Sequence, residues 1–224
     1  FFLGTEYVAG TLEYEGEEIL ILNLRELDCT TYIENVIAIA QNISEKKYSF
    51  GEYLQQLTRI RYRGDTIGLY PSRLHYFSDW LYDNTKEGLI KIIEFPDLSE
   101  PYEKEINFMS THTESYDKLN NPEFVEEIID QENRINKRIM NYTPQEKVQM
   151  AGRHIKTGDL IAITTNIDGL DIMHTGFAVD INGSIHLIHA SSLQKKVMIS
   201  PRSLHEMINN NKLMSGIIVA RIQL

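Results

Sequence analysis

The feature that most restricts the fold of this 224-residue chain is the dipeptide Asn182-Gly183, which stands between two apolar runs. Asn-Gly in such a position is typical of a two-residue type I′ turn, which joins the antiparallel strands of a β-hairpin. The sequence therefore predicts that residues 173–181 and 184–190 form paired strands. Because the turn fixes the register, Gly176 is expected to face His189.

Two histidines are predicted to meet on one face of this hairpin. Side chains alternate between faces along a strand, so His174 shares a face with Gly176, and the register adds His189 to that face. The glycine leaves room for the two rings. His186 falls on the opposite face, so it forms no chelating pair with His189. A structural role for two such histidines is the alternative to a functional one.

The only cysteine lies at the predicted start of a helix. Apolar residues recur after Asp28 at the spacing of one buried helix face, and Asp28 is a suitable N-cap. Cys29 then takes the first helical position, where free N–H groups and the helix dipole favour the nucleophilic thiolate and should lower the pKa of the thiol. The alternative is that Cys29 is an inert core thiol. A cysteine followed by two histidines on one strand face supplies the nucleophile, base and orienting group of thiol catalysis.

Further helix starts are marked by capping signals. Ser49 and Thr143 each have capping-box spacing to a glutamate, and Asn121 precedes a proline that suits a first helical position. The apolar spacing of residues 72–84 predicts another helix. The predicted helices after the cysteine helix cover residues 49–61, 72–84, 121–138 and 143–152.

The strand signals lie mostly in the last third of the chain, which predicts an α+β fold. We expect one domain over residues 1–224, helix-rich over 1–152 and sheet-rich over 153–224, with an antiparallel sheet of about five strands. These five strands are predicted at residues 160–165, 173–181, 184–190, 197–199 and 216–223. Other short strands are predicted at residues 18–24, 89–95 and 106–109.

Composition and charge indicate which kinds of molecule this protein is expected to bind. Lys and Arg number 22 against 32 Asp and Glu, so the net charge is −10. This excess of acidic residues argues against nucleic acid and anionic membrane surfaces as partners. No apolar stretch is long enough to span a bilayer. One cysteine excludes an internal disulfide and a cysteine-rich zinc site, and we expect neither a metal nor a cofactor.

Five short motifs occur in order along the chain. They are Gly4-Thr5-Glu6-Tyr7, Asp28-Cys29, Gly158-Asp159-Leu160-Ile161, the segment His174 to Val179 with its Asn182-Gly183 turn, and Ile188-His189-Ala190-Ser191. In this order they resemble the NlpC-type cell-wall cysteine peptidases, which are small papain-like enzymes. Residues 24–31, 72–80 and 189–192 more closely resemble the N-acetylmuramoyl-L-alanine amidase-like branch of that superfamily. The resemblance covers essentially the whole chain.

The resemblance implies a role for each matching residue. Cys29 matches the nucleophile, His174 the general base and His189 the third, orienting residue. Tyr7 matches a tyrosine that lies beside the site in relatives. The chain departs from the common pattern at Glu6, where proline is frequent, and in the longer segment between Tyr7 and Cys29.

The helix predicted over Arg73 to Trp80 has no counterpart in the wider superfamily, and we assign it to substrate recognition by inference. Tyr76 and Trp80 offer flat apolar faces for a sugar, while Arg73 and His75 offer hydrogen-bond donors. Asp28, beside the nucleophile, is also expected to contact substrate. The alternative is that the aromatic residues of this helix pack against the sheet.

The resemblance implies hydrolysis of the amide bond between N-acetylmuramic acid and L-alanine in peptidoglycan or its turnover fragments, so that muropeptides are the expected partners. Two alternatives stay open. One is an endopeptidase of the same superfamily, which cuts after D-glutamate, and the other is a non-catalytic peptidoglycan-binding module. Export to the bacterial cell envelope or periplasm is expected, with a removed signal peptide.

Overall fold

The computed structural model describes residues 1–224, and its centre is a mixed sheet of ten strands. The strands are β1 Glu6–Tyr7, β2 Glu26–Leu27, β3 Ile90–Ile93, β4 Glu100–Pro101, β5 Asn141–Pro144, β6 Leu160–Thr165, β7 Ile172–Ile181, β8 Ser184–Ser191, β9 Lys196–Ser203 and β10 Met214–Ile222. Their order across the sheet is β2-β1-β9-β8-β7-β6-β10-β5-β4, and β3 pairs with β10. All pairs are antiparallel except β1 with β2.

Seven α-helices accompany the sheet, so the predicted α+β class is confirmed. They are α1 Cys29–Ser44, α2 Phe50–Arg61, α3 Phe77–Lys86, α4 Phe108–Thr111, α5 Pro122–Ile135, α6 Val148–Ala151 and α7 Leu204–Asn209. The predicted N-caps of α1, α2 and α5 are confirmed, because Asp28, Ser49 and Asn121 each accept a backbone N–H of the first turn. None of the helices combines the length and the apolar character that crossing a bilayer requires.

The five strands predicted in the last third are all present, but the sheet has ten strands rather than about five. The additional strands are two to four residues long. Strands that short contain too few residues for an alternating pattern to stand out. The four-residue strand β3 lies within its predicted range of 89–95.

Both faces of the central strands are buried. On β6 and β10, Leu160, Ala162, Ile218 and Ala220 belong to a core cluster with α1, α2 and α3. Their neighbours in sequence face a second cluster, which includes residues of α6 and α7. A strand covered on both faces reads as a continuous apolar run, and this explains the composition of residues 160–163.

The predicted hairpin register is confirmed. Asn182 and Gly183 both have positive φ, at 54° and 84°, as a type I′ turn requires. Ile181 pairs with Ser184, and the register continues to Phe177 opposite Ile188. The next residues inward on the two strands are Gly176 and His189.

Two predicted strands are wrong. In both segments, side chains form hydrogen bonds with backbone groups that would otherwise pair with a neighbouring strand. In residues 18–24, the Ile21 carbonyl accepts from Arg61 and the Ile19 carbonyl accepts from the Tyr62 hydroxyl. In residues 106–109, Ile106 exchanges two hydrogen bonds with the Asn136 side chain, and a helix begins at Phe108.

Two predicted helix starts are also wrong. Residues 70–72 form a 3₁₀ turn, and Arg73 is extended and bridges to Tyr62, so α3 begins only at Phe77. Thr143 caps no helix, because it lies in β5 and pairs with Ile217. A 3₁₀ turn over residues 145–147 and the four-residue α6 replace the predicted helix at residues 143–152.

Candidate active site

Cys29 is the first residue of α1, as predicted. The Asp28 carboxylate accepts the Thr31 backbone N–H at 2.7 Å, and the Thr31 hydroxyl accepts the Asp28 backbone N–H at 2.9 Å. This reciprocal capping box fixes the first turn of the helix. It also uses one oxygen of the Asp28 carboxylate for the cap, so Asp28 serves the helix whether or not it also contacts a substrate.

The helix start is attached directly to the strand that carries His174. The Thr175 hydroxyl donates to the Cys29 carbonyl at 3.1 Å, across 146 residues of sequence. The cysteine is therefore held against β7 through its main chain.

The two histidines are in contact, as the register predicts. Nε2 of His174 lies 2.6 Å from Nδ1 of His189, and the rings meet edge to face with centroids 4.8 Å apart. Gly176 makes this possible, because a Cβ on it would come within 2.9 Å of the His189 Cβ and 2.7 Å of the Ile188 carbonyl. His186 lies apart from this pair, with its Nδ1 at 2.9 Å from the Ser200 carbonyl.

This contact decides which nitrogen of His174 can act as a base. Since Nε2 is occupied by His189, Nδ1 is the nitrogen left for a thiol. When Nδ1 accepts a proton, Nε2 carries the other proton and donates it to Nδ1 of His189. His189 then fixes both the tautomer and the ring orientation of His174.

Cys29 and His174 line one small cavity of about 140 Å³. Its walls come from the start of α1, the segment before α3, the segment 109–116 and the start of β7. The lining residues are Cys29, Thr30, His75, Tyr76, Phe77, Met109, Tyr116, Leu170, Asp171, Ile172, Met173, His174 and Thr175. His189 reaches the cavity through His174.

The charge state of the thiol differs from the sequence-based expectation. Burial, followed by the charge of Asp28, raises the pKa of Cys29 to about 11, against the effect of hydrogen bonds from Thr175 and Thr30. The expected lowering of this pKa by the helix terminus is wrong for the free protein, because desolvation of the thiolate outweighs it.

Both imidazoles are neutral as well. Burial and the neighbouring His189 lower the pKa of His174 to about 3, and burial lowers the pKa of His189 to about 4. At neutral pH the resting site therefore contains a thiol and two uncharged rings.

Tyr7 does not line the cavity, although it is close enough to Cys29 for their charges to interact. It pairs with Leu27 in the parallel β1–β2 contact, and its backbone N–H donates to the Lys195 carbonyl at 3.0 Å. Burial raises the pKa of Tyr7, and the nearby Cys29 and Asp28 raise it further. Its role at the site stays a prediction.

The segment expected to bind the sugar divides into lining and structural residues. His75 and Tyr76 line the cavity, with the His75 ring held at Nε2 by the Tyr70 carbonyl at 2.9 Å. Arg73 does not line it, because its guanidinium pairs with Glu13 at 2.8 Å and Glu18 at 3.2 Å.

Trp80 cannot offer a face to a sugar. The side chain is 0% exposed and stacks on Phe77 with centroids 4.9 Å apart. Tyr76 is also buried, and its hydroxyl donates to the Glu132 carboxylate at 2.7 Å. For Trp80 the alternative interpretation of a packed aromatic residue is the correct one.

Most of the lining residues were not predicted from the sequence, and they include Met109, Tyr116 and Asp171. Met109 and Tyr116 belong to the segment between β4 and α5, and Asp171 precedes β7. Asp171 carried the one usable signal, since it is an acidic residue three positions before a candidate base. No group of three or more His, Cys, Asp or Glu side chains is arranged to hold a metal ion.

Comparison with known families and structures gives a consistent result. The family model AmiA-like, described as N-acetylmuramoyl-L-alanine amidase-like, matches residues 1–217. An N-acetylmuramoyl-L-alanine amidase from Bacteroides uniformis ATCC 8492 is 37% identical with a TM-score of 0.92, covering 100% of this chain and 96% of that chain. A Bacteroides fragilis protein, provisionally named a xylanase, is 38% identical with a TM-score of 0.92, covering 99% and 97%.

A more distant Legionella pneumophila protein, 20% identical with a TM-score of 0.70, shares the fold over 100% of this chain and 86% of its own. No curated protein matches the chain.

Proposed function

The chain belongs to the N-acetylmuramoyl-L-alanine amidase-like family, and on that basis we propose that it is a cysteine-dependent amidase. The proposed reaction is hydrolysis of the amide between N-acetylmuramic acid and L-alanine in peptidoglycan or its turnover fragments. The observation that carries the proposal is that His174, paired with His189, lines a cavity together with a cysteine at a helix start. We further propose a papain-like, NlpC-type architecture and export to the bacterial envelope, where such a substrate occurs.

In the proposed mechanism, His174 acts as a general base on a neutral thiol. Its free Nδ1 removes the proton from Cys29 while the sulfur attacks the lactyl carbonyl carbon. Nε2 donates to His189, which stabilises the imidazolium that forms. The same imidazolium then protonates the leaving amine of L-alanine, and water hydrolyses the thioester.

The tetrahedral intermediate carries a negative charge on the former carbonyl oxygen. The Cys29 backbone N–H stands at the start of α1, where N–H groups have no partner within the helix and the dipole favours an anion. This N–H is the donor we assign to the oxyanion. Such donors typically contribute about 10²–10³-fold to the rate of acyl transfer.

Recognition of the muramic acid side is assigned to the wall that holds His75. The ring lines the cavity and is held in place by the Tyr70 carbonyl and by the Tyr70 ring, whose centroid lies 4.3 Å from its own. Tyr76 supports the same wall from behind. Arg73 acts indirectly, through Tyr70, because its guanidinium lies 5.1 Å from the centre of the Tyr70 ring.

Other reactions are less compatible with the cavity. A glycoside hydrolase needs two carboxyl groups across the scissile bond, and Asp171 is the only carboxylate that lines the cavity. A D-glutamyl endopeptidase would use the same cysteine chemistry on a different bond, so it differs from the amidase only in the product. A non-catalytic binding module would make no use of the paired imidazoles.

Mass spectrometry of products from a muramoyl tripeptide and from its sugar-free counterpart tests the proposal. We expect cleavage of the lactyl–alanine amide in the first substrate and no cleavage in the second. The Cys29→Ala variant should release no product while still binding the muramoyl substrate. Release of the third residue from both substrates would show an endopeptidase instead, and turnover by the alanine variant would exclude a cysteine mechanism.

A further inference from the structure

The loop between β6 and β7, residues 166–171, leads directly into the strand that carries His174. One hydrogen bond is internal to it, from the Leu170 N–H to the Ile167 carbonyl at 3.2 Å, and other bonds reach distant parts of the chain. The Gly169 carbonyl accepts the backbone N–H groups of Asn107 and Phe108, both at 3.0 Å. The Tyr102 hydroxyl donates to the Asp171 carbonyl at 3.0 Å. The loop therefore has a fixed position before the strand begins.

The side chain that ends this loop is a buried carboxylate without a cationic partner. Asp171 is 1% exposed and forms no ion pair with a lysine, arginine or histidine. One oxygen accepts the Ser78 backbone N–H at 2.6 Å, and the other accepts the Ile172 backbone N–H at 2.7 Å. Burial raises the pKa of Asp171, and these two backbone donors act against that effect because they favour the charged form.

The bond to Ser78 has a second effect, because Ser78 lies in the first turn of α3. This helix has no N-cap from its own chain segment, since Tyr76 makes no side-chain cap. Asp171 supplies the missing acceptor from 93 residues away. A carboxylate at this position is also favoured by the dipole of α3.

We propose that Asp171 is a positioning residue for the amidase reaction: its carboxylate joins the first turn of α3 to the start of β7 and so sets the distance between the recognition wall and His174. The inference rests on the proposed function. The two elements that it joins both line one cavity, the first with Tyr76 and Phe77 and the second with Ile172 to His174. No other side chain forms a hydrogen bond between the starts of α3 and β7.

The effect of losing this link should appear in the rate rather than in binding. The Asp171→Asn variant keeps the volume but places an amide N–H₂ against one of two backbone donors, so one of the two bonds is lost. A displacement of about 1 Å in a reacting group can reduce a rate by about 10²-fold. We therefore expect kcat to fall about 10- to 100-fold, with KM changed by less than about threefold.

The matched control is Asp168→Asn, which removes the same charge from an exposed position in the same loop. It should keep kcat within about twofold, since its side chain sets no element in place. Tyr102→Phe provides a second perturbation, because it removes the bond to the Asp171 carbonyl and leaves the Asp171 side chain unchanged. We expect it to lower kcat by a smaller factor than Asp171→Asn does.

Nuclear magnetic resonance gives a readout that does not depend on activity. In Asp171→Asn, the Ser78 amide should lose protection from hydrogen exchange, and the imidazole N–H signal between His174 and His189 should shift or broaden. Wild-type kcat in a folded Asp171→Asn protein, or a loss found entirely in KM, would overturn the proposal. Failure of the wild-type protein to cut muropeptides would instead overturn the proposed function, and the imidazole signal would still test the positioning role.

Discussion

On one side of the cavity, Cys29 and His174 stand on long regular elements, a helix of 16 residues and a strand of 10. On the other side, Tyr76, Met109 and Asp171 stand on short turns or element ends. The first side is held by backbone ladders. The second is held by buried side chains, which include the carboxylates of Asp171 and Glu132.

The difference indicates how each side can change. A helix or strand is held in place by many backbone hydrogen bonds. One side-chain substitution on the reactive side therefore leaves the element in place. On the other side, a single buried carboxylate accepts hydrogen bonds from several donors and so holds several groups in place. Its loss leaves these buried groups unpaired, at a cost of about 1–3 kcal/mol. The reactive side should therefore lose chemistry without losing stability, whereas the recognition wall should lose both together.

The largest effect is expected for His174→Ala. It removes the base but leaves the β7 ladder, so kcat should fall about 10²–10⁴-fold with little change in the melting temperature. His189→Ala should reduce kcat less, because it only orients the base. The matched control His186→Ala removes a histidine from the opposite face of the same hairpin and should keep most of the activity. Equal losses from His186 and His189 would contradict the assigned geometry.

Alkylation by iodoacetamide tests the charge state of the reactive side, and the single cysteine makes the readout unambiguous. Only the thiolate reacts, and the pKa of Cys29 is raised to about 11, so the rate should rise about tenfold per pH unit from pH 7 to pH 10. His174→Ala should follow the same profile. A rate that is constant between pH 6 and pH 8 would reveal a thiolate–imidazolium pair instead.

Gly176→Ala should affect both stability and activity. It adds one methyl group on β7, close to the β8 backbone and to the His189 side chain. The new Cβ would lie 2.7 Å from the Ile188 carbonyl and 2.8 Å from the Leu187 Cγ. We expect the free energy of unfolding to fall by about 1–3 kcal/mol, with a loss of activity as His189 moves. Gly51→Ala, in open space on α2, should instead stabilise the protein by about 0.5–1 kcal/mol. Chemical denaturation of both variants provides the comparison.

The smallest effect is expected for Tyr76→Phe on the recognition wall. Its hydroxyl donates to Glu132 and accepts the Met109 backbone N–H, both at 2.7 Å. Removing it should lower the free energy of unfolding by about 1–2 kcal/mol and reduce activity in parallel. Tyr82→Phe removes a half-exposed hydroxyl and should change neither. If Tyr76→Phe is fully stable but inactive, the hydroxyl takes part in the reaction and does not merely support the wall.

The two regions also differ in how far the sequence predicts them. The Asp28 cap and the Asn182-Gly183 turn are local signals: the first predicts Cys29 at a helix start and the second predicts the contact of His174 with His189. That Cys29 lies near this pair was implied by the family resemblance. Residues of the wall are positioned by partners that are distant in sequence, such as Ser78 with Asp171 at a separation of 93. No local pattern contains that information.

The same limit explains the error over residues 72–84. The spacing of Leu74, Phe77 and Leu81 fits a helix face, but the Leu74 backbone N–H donates to the Arg61 carbonyl at 2.9 Å and Arg73 is drawn into ion pairs. The raised pKa of Cys29 follows similarly from burial by elements that the sequence does not place near it. Local propensity is overridden wherever distant groups satisfy the backbone.

The bond from the Thr175 hydroxyl to the Cys29 carbonyl closes a loop of 146 residues. Closing a long loop has an entropic cost that only later contacts repay, so such a bond forms late in folding. During synthesis Cys29 is made well before His174, the base of the proposed mechanism. A chain that is still growing therefore contains the thiol without the histidine proposed to activate it, and under that mechanism activity requires that β7 and β8 have been assembled.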